Sequence, residues 1–184
     1  MAEVWLITGI PGAGKTTIAN ALARSFERGV HIEAERLQEW IVSGAVWPAE
    51  EPEVENQRQL DLVTLNACLL ARSYAEAGFS VTIDHVVISR GRVEEYRDRL
   101  AGIRFHLVVL DPGKATAAQR DAECLKSRQH RERLGISIAE RWSHLEDEMR
   151  TELSGLGLWL DTSPLSVEQT LLEITERRNE ALID

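Results

Sequence analysis

No apolar run in this 184-residue sequence is long enough to cross a membrane. Cysteine is scarce. Cys68 and Cys124 stand far apart without metal-type spacing, which points to buried thiols rather than a disulfide. There is no basic excess: 21 Lys and Arg face 30 Asp and Glu, a formal net charge of −9. That balance disfavours a nonspecific grip on nucleic acid or anionic membrane, although a local basic groove is compatible with it. Nothing at the N-terminus reads as a signal peptide, because the chain enters a strand-like segment at Val4, so the expected compartment is the cytoplasm. Internal repeats, low-complexity tracts and linkers are lacking too. What remains is an ordinary mix of apolar and charged residues, at a length that suits one domain over residues 1–184.

Against that plain background one segment is distinctive. Gly9-Ile10-Pro11-Gly12-Ala13-Gly14-Lys15-Thr16 fits G-x-x-x-x-G-K-[ST], the phosphate-binding loop of nucleotide-dependent enzymes. Its flanks agree. Val4 to Thr8 reads as a buried strand, and Ile18, Leu22 and Phe26 recur as on one face of a helix. Glycines let the backbone wrap a phosphate, and the turn's N–H groups with the positive end of the helix hold the anion. Gly9, Pro11, Gly12, Ala13, Gly14, Lys15, Thr16 and Thr17 are therefore the expected nucleotide-binding residues. Lys15 would reach the β- and γ-phosphates, and the Thr16 hydroxyl would bind Mg²⁺.

Strand-like and helix-like segments alternate to the end of the chain, the pattern of an α/β fold with a mainly parallel sheet. Val30–Ile32, Ser80–Asp84, Phe105–Leu110 and Leu158–Asp161 are the further strands. Leu37, Trp40 and Ile41 suggest a short helix, and Val63, Ala67, Leu70 and Tyr74 mark the apolar face of a long one, ended by Gly78. Val93, Tyr96 and Leu100 mark another, as do Ile138, Trp142, Leu145 and Met149. Pro164 and Ser166 introduce a closing helix. Residues 44–53, with Pro48, Pro52 and three glutamates, read as a loop. In such folds ligands bind at the carboxyl ends of the strands, so the phosphate loop, the Glu33/Glu35 region and Asp84 should share one rim.

A phosphoryl acceptor must be held in line with the γ-phosphate and its hydroxyl proton oriented or accepted. Glu33 or Glu35 suits that task, with Glu33 preferred, and Arg36 could hold an anionic part of the acceptor. Glu33 and Arg36, at i and i+3, also fit a plain surface ion pair. Asp84 closes an apolar strand, where a carboxylate is costly unless paired at the rim. It suits Mg²⁺ coordination through water or orientation of the acceptor, and a helix-capping acid is the plain alternative. His85 beside it is a weaker candidate, since a lone histidine is more often structural. Arg58 could face the acceptor, and Trp47 could stack on it or simply anchor its loop. Residues 114–135 reverse the local sign of charge. Arg120 and Arg128, then Arg133, are the candidates to meet the charge of the transferring group from a closing, Arg-rich helical lid.

On these residues the chain resembles the small P-loop kinases grouped with the nucleoside monophosphate kinases. It is most similar to the subgroup of chloramphenicol phosphotransferase, gluconate kinase and polynucleotide kinases. Gly9–Thr17, Glu33-x-x-Arg36, Thr82-Ile83-Asp84, the Arg-rich segment and Trp159-Leu160-Asp161-Thr162-Ser163 carry the likeness over nearly the whole chain. The resemblance implies a three-layer α/β/α P-loop fold with a five-stranded parallel sheet of order 2-3-1-4-5. It also implies Mg-ATP as donor, a lid over it, and a carboxylate after strand two on the acceptor hydroxyl. Relatives carry Asp there. Glu33 has one more methylene, which moves the carboxylate by about an ångström or more.

The expected activity is an ATP-dependent kinase acting on a hydroxyl of a small molecule, with ATP and Mg²⁺ as cofactors. Lys15, Glu33, Asp84, Arg120 and Arg128 are its catalytic candidates, Thr16 and Asp84 the metal-side residues, and Arg36 and Arg58 the acceptor-side ones. A nucleotide or polynucleotide 5′-end kinase, and a nucleotide-binding regulatory module, are the alternatives. No guanine-reading N-K-x-D motif is present, which favours adenine.

Overall fold

The computed structural model describes residues 2–47, 51–123 and 144–183. Its framework is a five-stranded parallel sheet in the order β2-β3-β1-β4-β5. The strands are β1 (Glu3–Thr8), β2 (Gly29–Glu33), β3 (Ser80–Asp84), β4 (Arg104–Leu110) and β5 (Leu158–Leu160). Among the described residues the helices are α1 (Lys15–Ser25), α2 (Ala34–Glu39), α3 (Glu53–Glu76), α4 (Arg90–Arg99), α5 (Lys114–Glu123), α6 (Leu145–Glu152) and α7 (Val167–Glu176). They cover both faces of the sheet, which is why β1 and nearly all of β4 are continuously buried and mostly apolar rather than alternating. This is the α/β architecture that the alternating segments implied, with the strand order that the resemblance implied. No described helix is long and apolar enough to cross a membrane.

Two apolar assignments need correction. α2 stops at Glu39, and Trp40 is 68% exposed rather than part of the core. On α3 the buried stripe runs through Val63, Ala67, Cys68, Ala71 and Ala75, while Tyr74 is 41% exposed. Small side chains let this long helix lie close to the sheet, so its inner face is marked by size rather than by large hydrophobes. Burial pushes the Cys68 thiol up to about 12, so it is an inert apolar filler. Cys124, Pro48, Ile138 and Trp142 lie outside the described residues.

The α2–α3 connection is fastened from inside. Gln38, Asn56 and Gln59 are buried amides. Gln38 Nε2 and Asn56 Nδ2 both donate to the Val46 carbonyl at 3.1 Å, Gln59 Oε1 accepts from Val46 N at 2.9 Å, and Gln59 Nε2 donates to the Gly44 carbonyl at 2.8 Å. Trp47 therefore leaves a held loop.

At the amino end of the sheet Glu3 is buried against Arg178, whose Nη2 donates to Oε2 at 2.6 Å, and His106 Nε2 stands 3.3 Å from the same oxygen. Burial works against ionisation of Glu3, but His106, Trp5 and Arg178 outweigh it and hold the carboxyl below its usual range. A depressed folded-state pKa stabilises above the unfolded value of 4.5 and is lost as pH falls through the folded value. Urea titrations of the wild type and Glu3→Gln should therefore differ most above pH 4.5 and converge below it. A gap that stayed constant into strong acid would show that the charge of Glu3 contributes nothing.

Candidate functional site

The carboxyl ends of β2, β3 and β1 form one rim. Glu33 pairs in register with Asp84, and Asp84 with Ile7, so the two carboxylates and the start of the phosphate loop occupy adjacent strand ends. His85 N donates to the Ile7 carbonyl at 3.2 Å. Thr8 Oγ1 donates to the Val87 carbonyl at 3.0 Å and accepts from Val87 N at 2.9 Å. These bonds tie the segment after β3 to the end of β1 and fix the rim from below.

The loop has the geometry its glycines predict. Gly12 has φ 84°, and a Cβ there would lie 2.1 Å from the Ala117 carbonyl oxygen of α5. Gly14 has φ 93° and caps α1 with no side-chain hydrogen bond, and a Cβ there would meet nothing within 4 Å. The first turn of α1 holds no acid. An open, positive helix start without a competing carboxylate fits a phosphate group. Lys15, 8% exposed, donates from Nζ to the Ile10 carbonyl at 3.3 Å, and Thr16 and Thr17 lie exposed beside it. Gly9 and the half-buried Pro11 complete the turn, while Ala13 is buried with its N–H bonded to the Ile10 carbonyl at 3.0 Å.

α5 is packed onto this loop. Ala117 and Asp121 are buried, and Arg120 reaches across. Arg120 Nη1 lies 3.4 Å from the Ala13 carbonyl and 3.3 Å from Thr162 Oγ1, and Nη2 donates to the Thr162 carbonyl at 2.7 Å. One guanidinium thus joins the phosphate loop to the segment after β5. The first ten residues of the expected lid are this docked helix. Arg128, Arg133 and the rest of that segment lie outside the described residues.

At the end of β2 Glu33 is half-buried, and Glu35 in the first turn of α2 is exposed. Arg36 is shared: its Nη1 bonds Glu39, and its Nε stands 3.6 Å from Glu33. Arg58 is 75% exposed and pairs with Glu55 at 3.7 Å. Each of these arginines already has a carboxylate neighbour.

Asp84 does not cap a helix. Ser89 performs that task for α4 by accepting from Arg92 N at 3.3 Å. Asp84 is 3% exposed, and its Oδ2 is 2.7 Å from His31 Nε2. The sequence marks His31 only as part of a strand. The signal was its position two residues before Glu33, but only the β2–β3 register shows that it reaches Asp84. His85 is buried with Nδ1 2.9 Å from the Tyr96 hydroxyl. Burial foremost, with Arg92 and Lys15, pushes it down to about 4, so it is neutral at physiological pH and belongs to the support of the rim. Burial raises the Tyr96 hydroxyl well above its usual range as well.

A groove of about 260 Å³ between α4 and the C-terminal segment, lined by Arg90, Arg97, Leu156 and Glu180, lies beside the start of β4 and away from this rim.

The fold and loop define a P-loop protein built on the scaffold of the small kinases. The chain belongs to the AAA domain family, which matches residues 4–142. No curated protein matches it. Among solved structures it is similar to a sugar kinase from Janibacter sp. HTCC2649, with 16% identity, TM-score 0.65, and coverage of 98% of this chain and 96% of that one. A gluconokinase from Sinorhizobium meliloti 1021 gives 14% identity, TM-score 0.62 and coverage of 97% and 93%. The tunicamycin resistance protein of Deinococcus radiodurans gives 19% identity, TM-score 0.62 and coverage of 100% and 99%. At these identities the likeness is one of fold.

Proposed function

We propose that this protein transfers the γ-phosphoryl group of Mg-ATP to a hydroxyl of a small-molecule acceptor. The observation that carries this is the shared rim: a phosphate loop on β1 with Asp84 and Glu33 in register on the next two strand ends. The names of the structural neighbours, a sugar kinase and a gluconokinase, support the same reaction class.

In this reading the loop N–H groups and Lys15 hold the phosphates. Thr16 and Asp84 would hold Mg²⁺, which when bound would neutralise charge on the phosphates. Among the described residues no three His, Cys, Asp or Glu side chains form a metal group. One carboxylate and one hydroxyl suit Mg²⁺, which takes the rest of its ligands from nucleotide and water. Glu33 orients the acceptor hydroxyl and receives its proton. Arg120 fixes the loop against Thr162, and in this reading it meets charge on the nucleotide. Arg120→Ala should weaken ATP binding about tenfold or more, since hydrogen bonds to a charged group are worth about 1.5–3 kcal/mol. Calorimetric titration checks this, and unchanged affinity would remove Arg120 from the site.

The state of the acceptor-side arginines favours a small molecule over a polynucleotide end. Arg36 and Arg58 are each beside glutamates, and the chain as a whole is acidic, so nothing described on this side gathers phosphates. The test is ADP formation from Mg-ATP with and without pools of sugars, nucleosides, nucleotides, aminoglycosides and amphenicols. Acceleration by one pool is expected. Acceleration by a polynucleotide alone, lost steeply with added salt, would support the end-kinase alternative. ATP that binds tightly but turns over slowly whatever is added would support a regulatory module.

A further inference from the structure

A chain of side chains leads from the back of α1 to Asp84, and its hydrogen-bond directions can be read in order. Arg24 Nε, which can only donate, gives its proton to Asn20 Oδ1 at 2.8 Å. That fixes the Asn20 amide with Nδ2 on the other side, 3.4 Å from His31 Nδ1. Nδ1 faces a donor and is therefore the acceptor nitrogen of the ring. The ring proton then sits on Nε2, which donates to Asp84 Oδ2 at 2.7 Å. The His31 and Asp84 side chains are 10% and 4% exposed, so this bond is sheltered from water.

We propose that His31 is a positioning residue, which pins Oδ2 of Asp84 and so aims the other carboxylate oxygen at the rim. The inference rests on the role given above to Asp84. Its physical basis is that a free carboxylate rotates about two side-chain bonds, whereas one held through an oxygen keeps a single orientation. Asn20 and Arg24 set the tautomer from α1, the helix whose first turn carries Lys15 and Thr16. The nucleotide helix and the acid are thereby kept in register.

The test compares His31→Leu, His31→Gln, His31→Asn and Asp84→Asn. Two quantities are read: kcat, and the gain in ADP affinity on adding Mg²⁺, measured by calorimetry. Glutamine can place an N–H where His31 Nε2 lies, and asparagine is too short. His31→Leu and His31→Asn should lose about ten- to a hundredfold in both quantities, as loss of an outer-shell partner does, with metal-free ADP affinity unchanged. His31→Gln should stay within about threefold of the wild type, and His31→Leu should add little to Asp84→Asn in the double variant. If His31→Leu does not fold, the glutamine and asparagine variants carry the same contrast. Equal losses in both would mean packing alone and would overturn the proposal, as would full function in His31→Leu beside an impaired Asp84→Asn. An Asp84→Asn variant with both quantities unchanged would instead remove the role of Asp84, and the proposal with it.

Discussion

Lys15→Ala is expected to lower kcat about a thousandfold while leaving the fold intact, the scale seen when a preorganised charge is removed from a reacting centre. The reason for the kinetic loss is position. Lys15 opens α1 directly after the left-handed Gly14, and its ammonium folds back to the Ile10 carbonyl at 3.3 Å, inside the glycine loop proposed to hold the phosphates. Stability should change little, because that contact is long and the ammonium is the costly part of a largely buried side chain. Melting within a few degrees of the wild type, with transfer nearly abolished, is the expected pair of results. A Lys15→Ala protein with full turnover would take the lysine out of the reaction.

The second large effect is structural and concerns two glycines of one loop. Gly12 and Gly14 both have positive φ, so alanine at either carries the left-handed penalty of about 1–2 kcal/mol. Only at Gly12 is there a second cost. The new Cβ would lie 2.1 Å from the Ala117 carbonyl oxygen and 2.8 Å from its carbon, a backbone contact that no side-chain rotation relieves. Either α5 leaves the loop or the loop changes shape. Arg120, which reaches Ala13 and Thr162 from α5, moves in the first case. Gly12→Ala should therefore be destabilised by about 3 kcal/mol or more, against about 1–2 for Gly14→Ala. It should lose ATP binding more completely as well. Denaturant titration of the two variants checks this. Equal losses would mean that α5 is not docked on the loop as described.

The parts of this molecule that were legible in the sequence are those written in short contiguous segments. The phosphate loop is eight residues long, and its φ angles follow from where the glycines stand. The strands were legible because both faces of the sheet are covered, which leaves buried runs such as Phe105–Leu110, apolar but for His106. Large side chains misled where packing is tight or a helix stops early. Tyr74 fits the spacing of the α3 stripe, but alanines occupy the inner face, and Trp40 stands just past the end of α2. The Glu33–Arg36 spacing was legible, but not that Glu39 also holds Arg36. Least legible was the environment of Asp84. Its partner His31 lies 53 residues earlier and meets it only through the β2–β3 pairing, which no local pattern encodes. The docking of Arg120 on Thr162, 42 residues apart, was hidden for the same reason.

The most direct measurement follows the γ-phosphoryl group itself. Mg-ATP labelled at the γ-phosphorus is incubated with the protein and the accelerating acceptor pool, and the label is separated into inorganic phosphate and organic phosphate ester. The expected result is label in an ester of the acceptor, in proportion to ADP formed, and lost together with ADP formation in Lys15→Ala. Label found only as inorganic phosphate, at a rate indifferent to every acceptor, would contradict the assignment of this site to phosphoryl transfer.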